Sequence, residues 1–399
     1  MSILFAAVFS WSIGKAQVQE EPPIYRTVFA TPDEKNGYSD FVRACELTQT
    51  KDWSRLYEAT NEAQIGSKNY LASRRALSSL CQPVIALVKS GNQKPVTDPR
   101  VNVSMSTTYP ELSGFKAVAR GLGLSAYAMF ADGSNATASD TLIQGLMFSE
   151  RISHCGPMIT SLVARSSQAI LLKVLAEHLE RIPIGKWNEL AQKTDHWIAA
   201  SSALPTLDRE FLFIKSTLRP SFDDPEDSLF VDETGFQDVI RKLSPDKKDQ
   251  LARECIDAME AVQRQYQAAM EADESQWSEL SEAVTMEKLV GDKPLVKHVV
   301  ESVLPVVGSL VRLELMKRTQ LRLLRLHAAV MSYYWETGRY PNTLAEAGAP
   351  FISDPVSKED FVYQRVQNTI ELYSKGDRST GRIDLVMKRP ARGSETDPG

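Results

Sequence analysis

The side chains best suited to proton transfer at neutral pH in this chain are its five histidines. They are His154, His178, His196, His298 and His327. None belongs to an H-E-x-x-H pair, so the sequence predicts no zinc site of the metalloprotease type. His154 is followed directly by Cys155, so a base and a thiol are neighbours in the sequence. Catalytic Cys and His residues, however, are normally distant in the sequence and are brought together by the fold. This pair is therefore interpreted as part of a loop that leads into a helix after Pro157.

An enzyme would need polar side chains from separate helices to converge in one pocket. The candidates are His154, Glu177, His196 and Glu210, within residues 110–218. If they meet, the chemistry they support is acid–base hydrolysis. The chain has no P-loop and no G-x-S-x-G motif. No catalytic or cofactor-binding residue is therefore assigned, and a non-enzymatic role is favoured.

Composition and charge indicate an ordinary folded protein. Hydrophobic residues make up 43% and charged residues 24% of the 399 residues, and the net charge is −5. The one dense basic run, from Lys317 to Arg325, lies among leucines on a predicted helix and is interpreted as that helix's solvated side. A nucleic-acid-binding protein needs a basic face, so we expect no nucleic-acid partner.

The four cysteines are far apart in the sequence. They are Cys45, Cys81, Cys155 and Cys255. Without a C-x-x-C pair they do not predict a structural zinc site. Export of the protein would permit one or two disulfides; the favoured interpretation is that each cysteine is a small buried hydrophobe.

The beginning of the chain resembles a secretory signal. An apolar run from Ile3 to Ile13 precedes small residues, with a cleavage site expected near Ala16. The run is shorter than the roughly 20 residues that a membrane-spanning helix needs. We therefore expect an extracytoplasmic protein of the periplasm or cell envelope, associated with a membrane only through this segment if it stays uncleaved. The alternative is a buried N-terminal helix.

Composition and periodicity divide the chain into segments. They are a signal-like or anchor segment (1–19), a linker (20–37), an α-helical array (38–219), an acidic linker (220–236), a helical segment (237–294), an α+β module (295–388) and a disordered tail (389–399). Apolar residues at three- and four-residue spacing and short turns predict antiparallel helical hairpins in the array.

Several residues predict where helices of the array begin. Pro83 is expected to kink a helix or begin a new one, and Pro110 to lie in a first helical turn. Ser139 or Asp140 is expected to cap the helix that follows.

The α+β module is predicted to be a long helical stretch followed by a small antiparallel meander. Pro305 and Gly308 are expected to divide the stretch into two helices, and Gly338 to end the second in a left-handed conformation. Thr343 to Glu346 has the spacing of a capping box for one short helix. Three β-rich runs follow, at residues 361–365, 369–374 and 383–387. The predicted fold class is mainly α: a helical-hairpin array followed by a small α+β module.

A set of residues in this module has a specific order. They are Gly338, Tyr340, Pro341, Asp354, Pro355, Tyr373, Ser374, Gly376 and Asp377. Over residues 320–387 this order resembles the soluble part of the type II secretion major pseudopilin. The resemblance implies a long helix, a Gly-x-Tyr-Pro turn, an Asp-Pro turn and a small sheet, with calcium often held in the adjacent loops. It makes Asp354 and Asp377 candidate calcium ligands, although the neighbouring Lys375 opposes a divalent ion and favours structural turns. We expect no other cofactor.

The whole chain resembles large exported bacterial proteins that join a helical region to such a tail. The hypothesis that follows is a non-enzymatic extracytoplasmic scaffold whose pseudopilin-like module docks an envelope protein. Removing residues 320–399 is then expected to abolish partner capture and leave the array folded. The alternatives are a hydrolase with its site within residues 110–218 and a purely structural envelope protein.

Overall fold

The computed structural model describes most of the chain. The described residues are 24–29, 31, 33–62, 68–100, 103–104, 107–200, 204–223, 235–271, 274, 277, 290–350, 353–366, 369–377 and 380–385. The predicted signal-like segment at 1–19 and the predicted tail at 389–399 lie outside them, as does most of the predicted acidic linker.

Helices make up most of the fold, with one small sheet near the C-terminal end. The helices are α1 (Ile24–Val28), α2 (Gly37–Leu47), α3 (Lys51–Glu62), α4 (Lys68–Leu80), α5 (Gln82–Asn92), α6 (Glu111–Ala131), α7 (Asn135–Ile152), α8 (Met158–Ala176), α9 (Ile184–Ala200), α10 (Leu204–Asp223), α11 (Phe236–Arg241), α12 (Pro245–Met270) and α13 (Pro294–Thr337), with a 3-10 turn at Leu179–Arg181. The strands are β1 (Val362–Val366), β2 (Thr369–Ser374) and β3 (Ile383–Asp384). They form an antiparallel meander in the order β1-β2-β3. The predicted fold class is confirmed.

Most of the predicted helix ends follow from local sequence. Pro83 lies in the first turn of α5 and Pro110 is the N-cap of α6, as predicted. Gly338 ends α13 with a φ of 72°, and its N–H donates to the Tyr334 carbonyl at 2.8 Å. The prediction for α7 is wrong, because that helix begins after Ser134, and Ser139 donates to the Asn135 carbonyl inside it.

Two predicted linkers contain packed helix. In the segment 20–37, α1 buries Ile24 and Val28 in the core, because apolar residues four apart share one face of a helix. In the segment 220–236, α10 continues through Pro220 to Asp223 because Phe222 is fully buried against the helices around it. The acidic residues that follow Asp223 lie outside the described part of the chain.

The predicted division of the long helix is wrong. α13 runs without interruption from Pro294 to Thr337, through Pro305 and Gly308. A proline inside a helix removes one hydrogen bond and costs about 3 kcal/mol, so packing along the rest of α13 must offset this cost. The predicted short helix at Thr343 to Glu346 is instead a turn, in which the Glu346 carboxylate accepts from the Asn342 N–H at 2.5 Å.

The helices form two hydrophobic cores, and α13 contributes to both. Its first half packs Val299, Leu310 and other residues with α10, α11 and α12. Its second half packs residues from Leu321 to Met331 with α2 to α9 and with the sheet. The sheet residue Leu372 belongs to this same larger core, so the C-terminal module has no core separate from the array.

One described helix, α8, is long and apolar enough by length and composition to match a membrane span. In this fold α8 packs against α6 and α7, and Leu171 and Leu172 are fully buried in the larger core. A core helix of this kind meets the same criterion as a membrane helix, and in this fold α8 is part of the array.

Candidate functional site

A cleft of about 480 Å³ lies between α7 and α9, within the size range of small-molecule sites. One wall is formed by Glu150, Arg151 and His154, at the C-terminal end of α7 and just beyond it. The other wall comes from α9, where His196 and its neighbours share one helix face at three- and four-residue spacing. The cleft therefore brings together two of the four residues considered for hydrolysis, His154 and His196.

Glu150, which lines this cleft, belongs to a buried ion pair. Lys317 of α13 lies 2.7 Å from Glu150, and their side chains are 6% and 9% exposed. The His154 ring nitrogen Nε2 lies 3.1 Å from Glu150 Oε1 and 3.1 Å from Lys317 Nζ. Burial opposes ionisation of Glu150, but the charge of Lys317 and the hydrogen bond from His154 together lower its pKa to about 2. Glu150 is therefore a carboxylate that joins α7 to α13 rather than a proton donor at neutral pH.

The nearest hydroxyl does not complete a nucleophilic site. Ser153 Oγ lies 3.3 Å from Lys317 Nζ and donates to the Glu150 carbonyl at 2.6 Å. It lines a separate cavity of about 30 Å³, which has the volume of a single water molecule. Among the described residues that line the larger cleft there is no serine, threonine or cysteine. Among these described lining residues, no hydroxyl or thiol is therefore paired with a base.

The remaining residues of the hydrolase alternative lie elsewhere. Glu210 accepts from the Met158 N–H at 2.8 Å, at the start of α8, and burial raises the pKa of Glu210. Glu177 lines a different cavity, between α6 and α8. The four residues are therefore distributed among three places in the array.

The side chains of three other histidines make packing or polar contacts within the fold. The His178 ring stacks on Phe130 with ring centroids 4.4 Å apart. His327 Nδ1 lies 2.8 Å from the Leu323 carbonyl, and burial lowers its pKa. His298 packs against an aromatic ring of α11 at 4.6 Å between centroids.

The cysteines match their interpretation as small hydrophobes. All four are buried free thiols. Burial raises the pKa of Cys81, Cys155 and Cys255 to about 12. A protonated buried thiol is a poor nucleophile, so the structure gives none of these residues a reactive site.

The first calcium candidate, Asp354, is fully buried and accepts hydrogen bonds through both oxygens. Its Oδ1 accepts from Thr319 Oγ1 at 3.1 Å and from the Val356 N–H at 3.0 Å. Its Oδ2 accepts from Ser357 Oγ at 2.6 Å and Ser374 Oγ at 2.5 Å, and from the Ser357 N–H at 3.2 Å. These contacts connect α13, the turn after Pro355 and strand β2. In this geometry Asp354 stabilises a turn.

The second calcium candidate, Asp377, is half-exposed and accepts from its own loop. Its Oδ1 accepts from the Thr380 N–H at 2.7 Å, and Arg312 lies 3.7 Å away. Gly376 precedes it with a φ of 66° and donates to Ser374 Oγ at 2.9 Å. Within the described ranges, no group of three or more His, Cys, Asp or Glu side chains is arranged to hold a metal ion.

The other motif residues make one contact to the array and several within the module. Tyr340 stacks on Tyr334 at 4.7 Å between centroids and donates to Glu180 of the array at 3.1 Å. The Pro341 carbonyl accepts from the Tyr363 hydroxyl of β1 at 2.7 Å. Tyr373 of β2 lies 3.6 Å beneath the Arg382 guanidinium.

The interpretation of the basic run as a solvated helix side is wrong. Arg318 and Arg325 are only 18% and 17% exposed, and they pair with Glu274 at 3.0 Å and Asp195 at 2.8 Å. Lys317 lies on the same face of α13 as the buried leucines, four residues before Leu321 and seven residues before Leu324. This spacing was the available signal that Lys317 faces the core.

Sequence reasoning also missed a buried network near the start of the array. Tyr38 is fully buried and donates to Glu111 at 2.7 Å, and Arg100 contacts both residues. Arg100 also binds Asp98 at 2.8 Å. Tyr38 and Arg100, the two partners of Glu111, are 73 and 11 residues from it in the sequence, so no local sequence pattern predicts this network.

Comparison of the chain with protein-family models, with curated proteins and with solved structures gave no match.

Proposed function

We propose that the protein is a non-enzymatic scaffold of the cell envelope whose pseudopilin-like module, residues 320–387, docks a protein partner. The observation that carries the proposal is that this module is fixed to the array by a shared helix and core, and yet carries exposed large apolar side chains. Trp335 is 45% and Val366 is 40% exposed. An exposed tryptophan on a fixed module is a candidate anchor for a protein partner, because tryptophan is enriched among the residues that contribute most to binding.

Polar contacts along the second half of α13 support a fixed orientation of the module. Arg325 pairs with Asp195 at 2.8 Å. One to two turns further on, Ser332 donates to Asn188 at 3.0 Å. Together with Tyr340, these residues bind the module to α9 and to the turn before it. A partner would therefore meet a preformed surface and would not have to order the module on binding.

The groups that could perform chemistry also favour a binding role. The thiols are buried, Glu150 is held as a structural carboxylate by Lys317, and Asp354 receives hydrogen bonds at both oxygens. The hydrolase alternative has less support, since only His154 and His196 of its four residues share a cleft. The extracytoplasmic location is part of the proposal and depends on the N-terminal apolar run.

Point substitutions test the docking role better than removal of residues 320–399, because that removal takes away the part of α13 from Gln320 to Thr337. We would substitute Trp335→Asp and Val366→Asp in the tagged full-length protein and capture partners from the native envelope fraction. Matched controls outside the module are Ile159→Asp on α8 and Val239→Asp on α11, at side chains that are 47% and 42% exposed. Mass spectrometry would give the stoichiometric partners and the mature N-terminus.

The expected result is one stoichiometric partner that is lost with Trp335→Asp or Val366→Asp and retained with both controls. Thermal melts should show that all four variants remain folded. Equal capture by the module variants would contradict docking through these two side chains. Recovery of only further copies of the chain would instead support the purely structural alternative.

A further inference from the structure

A second substrate-sized cavity, of about 460 Å³, lies in the array between α6 and α8. Its long walls are helix faces: Arg120, Leu124 and Tyr127 on α6 face Lys173 and Val174 on α8. The α6 positions are three, four and seven residues apart, and on α8 Lys173 and Val174 lie three and four residues after Ile170, which also lines the cavity. Each set therefore lies on one side of its helix. This α6–α8 groove is separate from the cleft between α7 and α9.

Positive charge converges on the α6–α8 groove from three helices. Arg74 of α4, Arg120 of α6 and Lys173 of α8 line it, against one carboxylate, Glu177. The chain as a whole has a net charge of −5, so this local excess of cations runs against its overall charge. Among the described residues, no carboxylate forms an ion pair with Arg120 or Lys173. These two side chains are therefore available to an anion from solution.

The groove also presents aromatic and apolar surface. The guanidinium carbon of Arg74 lies 3.7 Å from the centroid of the Tyr127 ring, and that of Arg120 lies 5.6 Å from the Tyr57 ring. Burial lowers the pKa of Arg74, while Tyr127 and Glu177 nearby oppose that effect. Guanidinium groups beside aromatic rings recognise planar groups as well as charge. Leu124 and Val174 complete an apolar wall.

A glycine keeps the α6–α8 groove open. A Cβ atom at Gly123 would lie 3.4 Å from Val174 and 3.7 Å from Ile170, which is ordinary van der Waals contact. Helix packing therefore does not require glycine at this position. By contrast, a Cβ at Gly121 on the same helix would lie 2.3 Å from the Trp53 ring. The absence of a side chain at Gly123 keeps the groove open, because any larger side chain would extend into the groove.

From this geometry we propose that the α6–α8 groove binds an organic anion that carries an aromatic ring. Its carboxylate or phosphate lies between Arg120 and Lys173, and its ring lies against the tyrosines and the apolar wall. The cleft between α7 and α9 is less suited to this ligand. There, Arg151 donates to the Lys94 carbonyl at 2.8 Å and Lys193 lies 3.7 Å from Glu189.

The test is isothermal titration of the full chain with 2-naphthoate and 2-naphthyl phosphate, which distinguish the two anionic groups. Neutral 2-naphthalenemethanol and the non-aromatic cyclohexanecarboxylate are the comparison ligands. We expect saturable one-site binding of at least one naphthyl anion, and about tenfold weaker binding of both comparison ligands.

Variants locate the site. Arg120→Gln and Lys173→Gln, both at exposed side chains, should each weaken binding of the naphthyl anion about tenfold. Gly123→Leu should abolish binding by filling the groove. The matched control Lys193→Gln removes a cation from the other cleft and should leave the affinity unchanged, as should Trp335→Asp in the module. No saturable binding of either anion, or unchanged binding in the Arg120→Gln/Lys173→Gln double variant, would overturn the proposal.

Discussion

Asp354 and Asp377 have the same side chain in opposite environments. Asp354 is fully buried and receives hydrogen bonds from three separate segments of the chain, whereas the Asp377 side chain is 44% exposed and accepts mainly within its own loop. A buried carboxylate is stabilised only when donors replace the water that it loses. The contributions of the two motif aspartates to the free energy of unfolding should therefore differ strongly.

At the residue scale we predict that Asp354→Ala lowers the free energy of unfolding by about 3 to 5 kcal/mol, because buried donors such as the Thr319 and Ser374 hydroxyls lose their acceptor. The matched variant Asp377→Ala should lower it by less than about 1 kcal/mol. Urea denaturation measures both values. Equal losses in the two variants would show that the donors around Asp354 find other partners.

The sequence indicates part of this local arrangement. Asp354-Pro355 predicts a turn from residue type alone. The donors from Thr319 and Ser374 stand 35 and 20 residues from Asp354, so only the fold brings them to it. For the same reason, His154 and His196 could be named as candidates from the sequence, but Lys317, 163 residues from His154, could not.

At the element scale, α13 differs from an amphipathic surface helix. Its cations point into contacts with other elements: Lys317 with α7, Arg325 with α9, and Arg318 with Glu274. Periodicity correctly predicted that this stretch is helical. It places Lys317 among the buried leucines, but it did not show that Arg318 and Arg325 are largely buried, since ion pairing with distant carboxylates decides this. It also did not show that the helix continues through Pro305.

The Glu150–Lys317 pair predicts how acid weakens the contact between α7 and α13. The folded-state pKa of Glu150 is about 2, below its usual 4.5, so the pair stabilises the fold above pH 4.5. This contribution is lost as pH falls from 4.5 to about 2 and amounts to about 3 kcal/mol. We expect the wild type to lose about that much more stability over this range than Glu150→Leu/Lys317→Met does.

Urea denaturation at several pH values measures the difference. At pH 7 the single variant Lys317→Met should lose about 3 to 5 kcal/mol, because Glu150 remains buried without its cation. The double variant should be close to the wild type, since both charges are gone. Parallel acid profiles for the double variant and the wild type would contradict the assigned role of the pair.

At the scale of the whole molecule, the module and the array share one hydrophobic core. The larger core contains Phe115 and Trp187 of the array together with Leu324, Leu372 and Ile383 of the C-terminal module. The predicted segments had suggested that the array is complete by residue 219. Segment boundaries were read from composition along the chain, and composition does not reveal a core built from both ends of the sequence.

We therefore predict that a chain ending at Thr319 does not fold into the array. It lacks Leu321, Leu324 and Met331, each fully buried, and losing one such side chain typically costs about 2 to 5 kcal/mol. The sum is comparable to the stability of an ordinary domain. A chain ending at Leu385 keeps all the described contacts and should melt like the full chain. Thermal melts followed by circular dichroism compare the two, and a wild-type transition in the shorter chain would refute a shared core.

The contact between α9 and α13 can form only late in the synthesis of the chain. Asp195 and Arg325 stand 130 residues apart. A ribosome that adds about 5 to 20 residues per second needs roughly 7 to 26 seconds to make those 130 residues. Throughout that interval the apolar face of α9 has no α13 to cover it. The nascent protein thus completes its larger core only after translation of its last quarter.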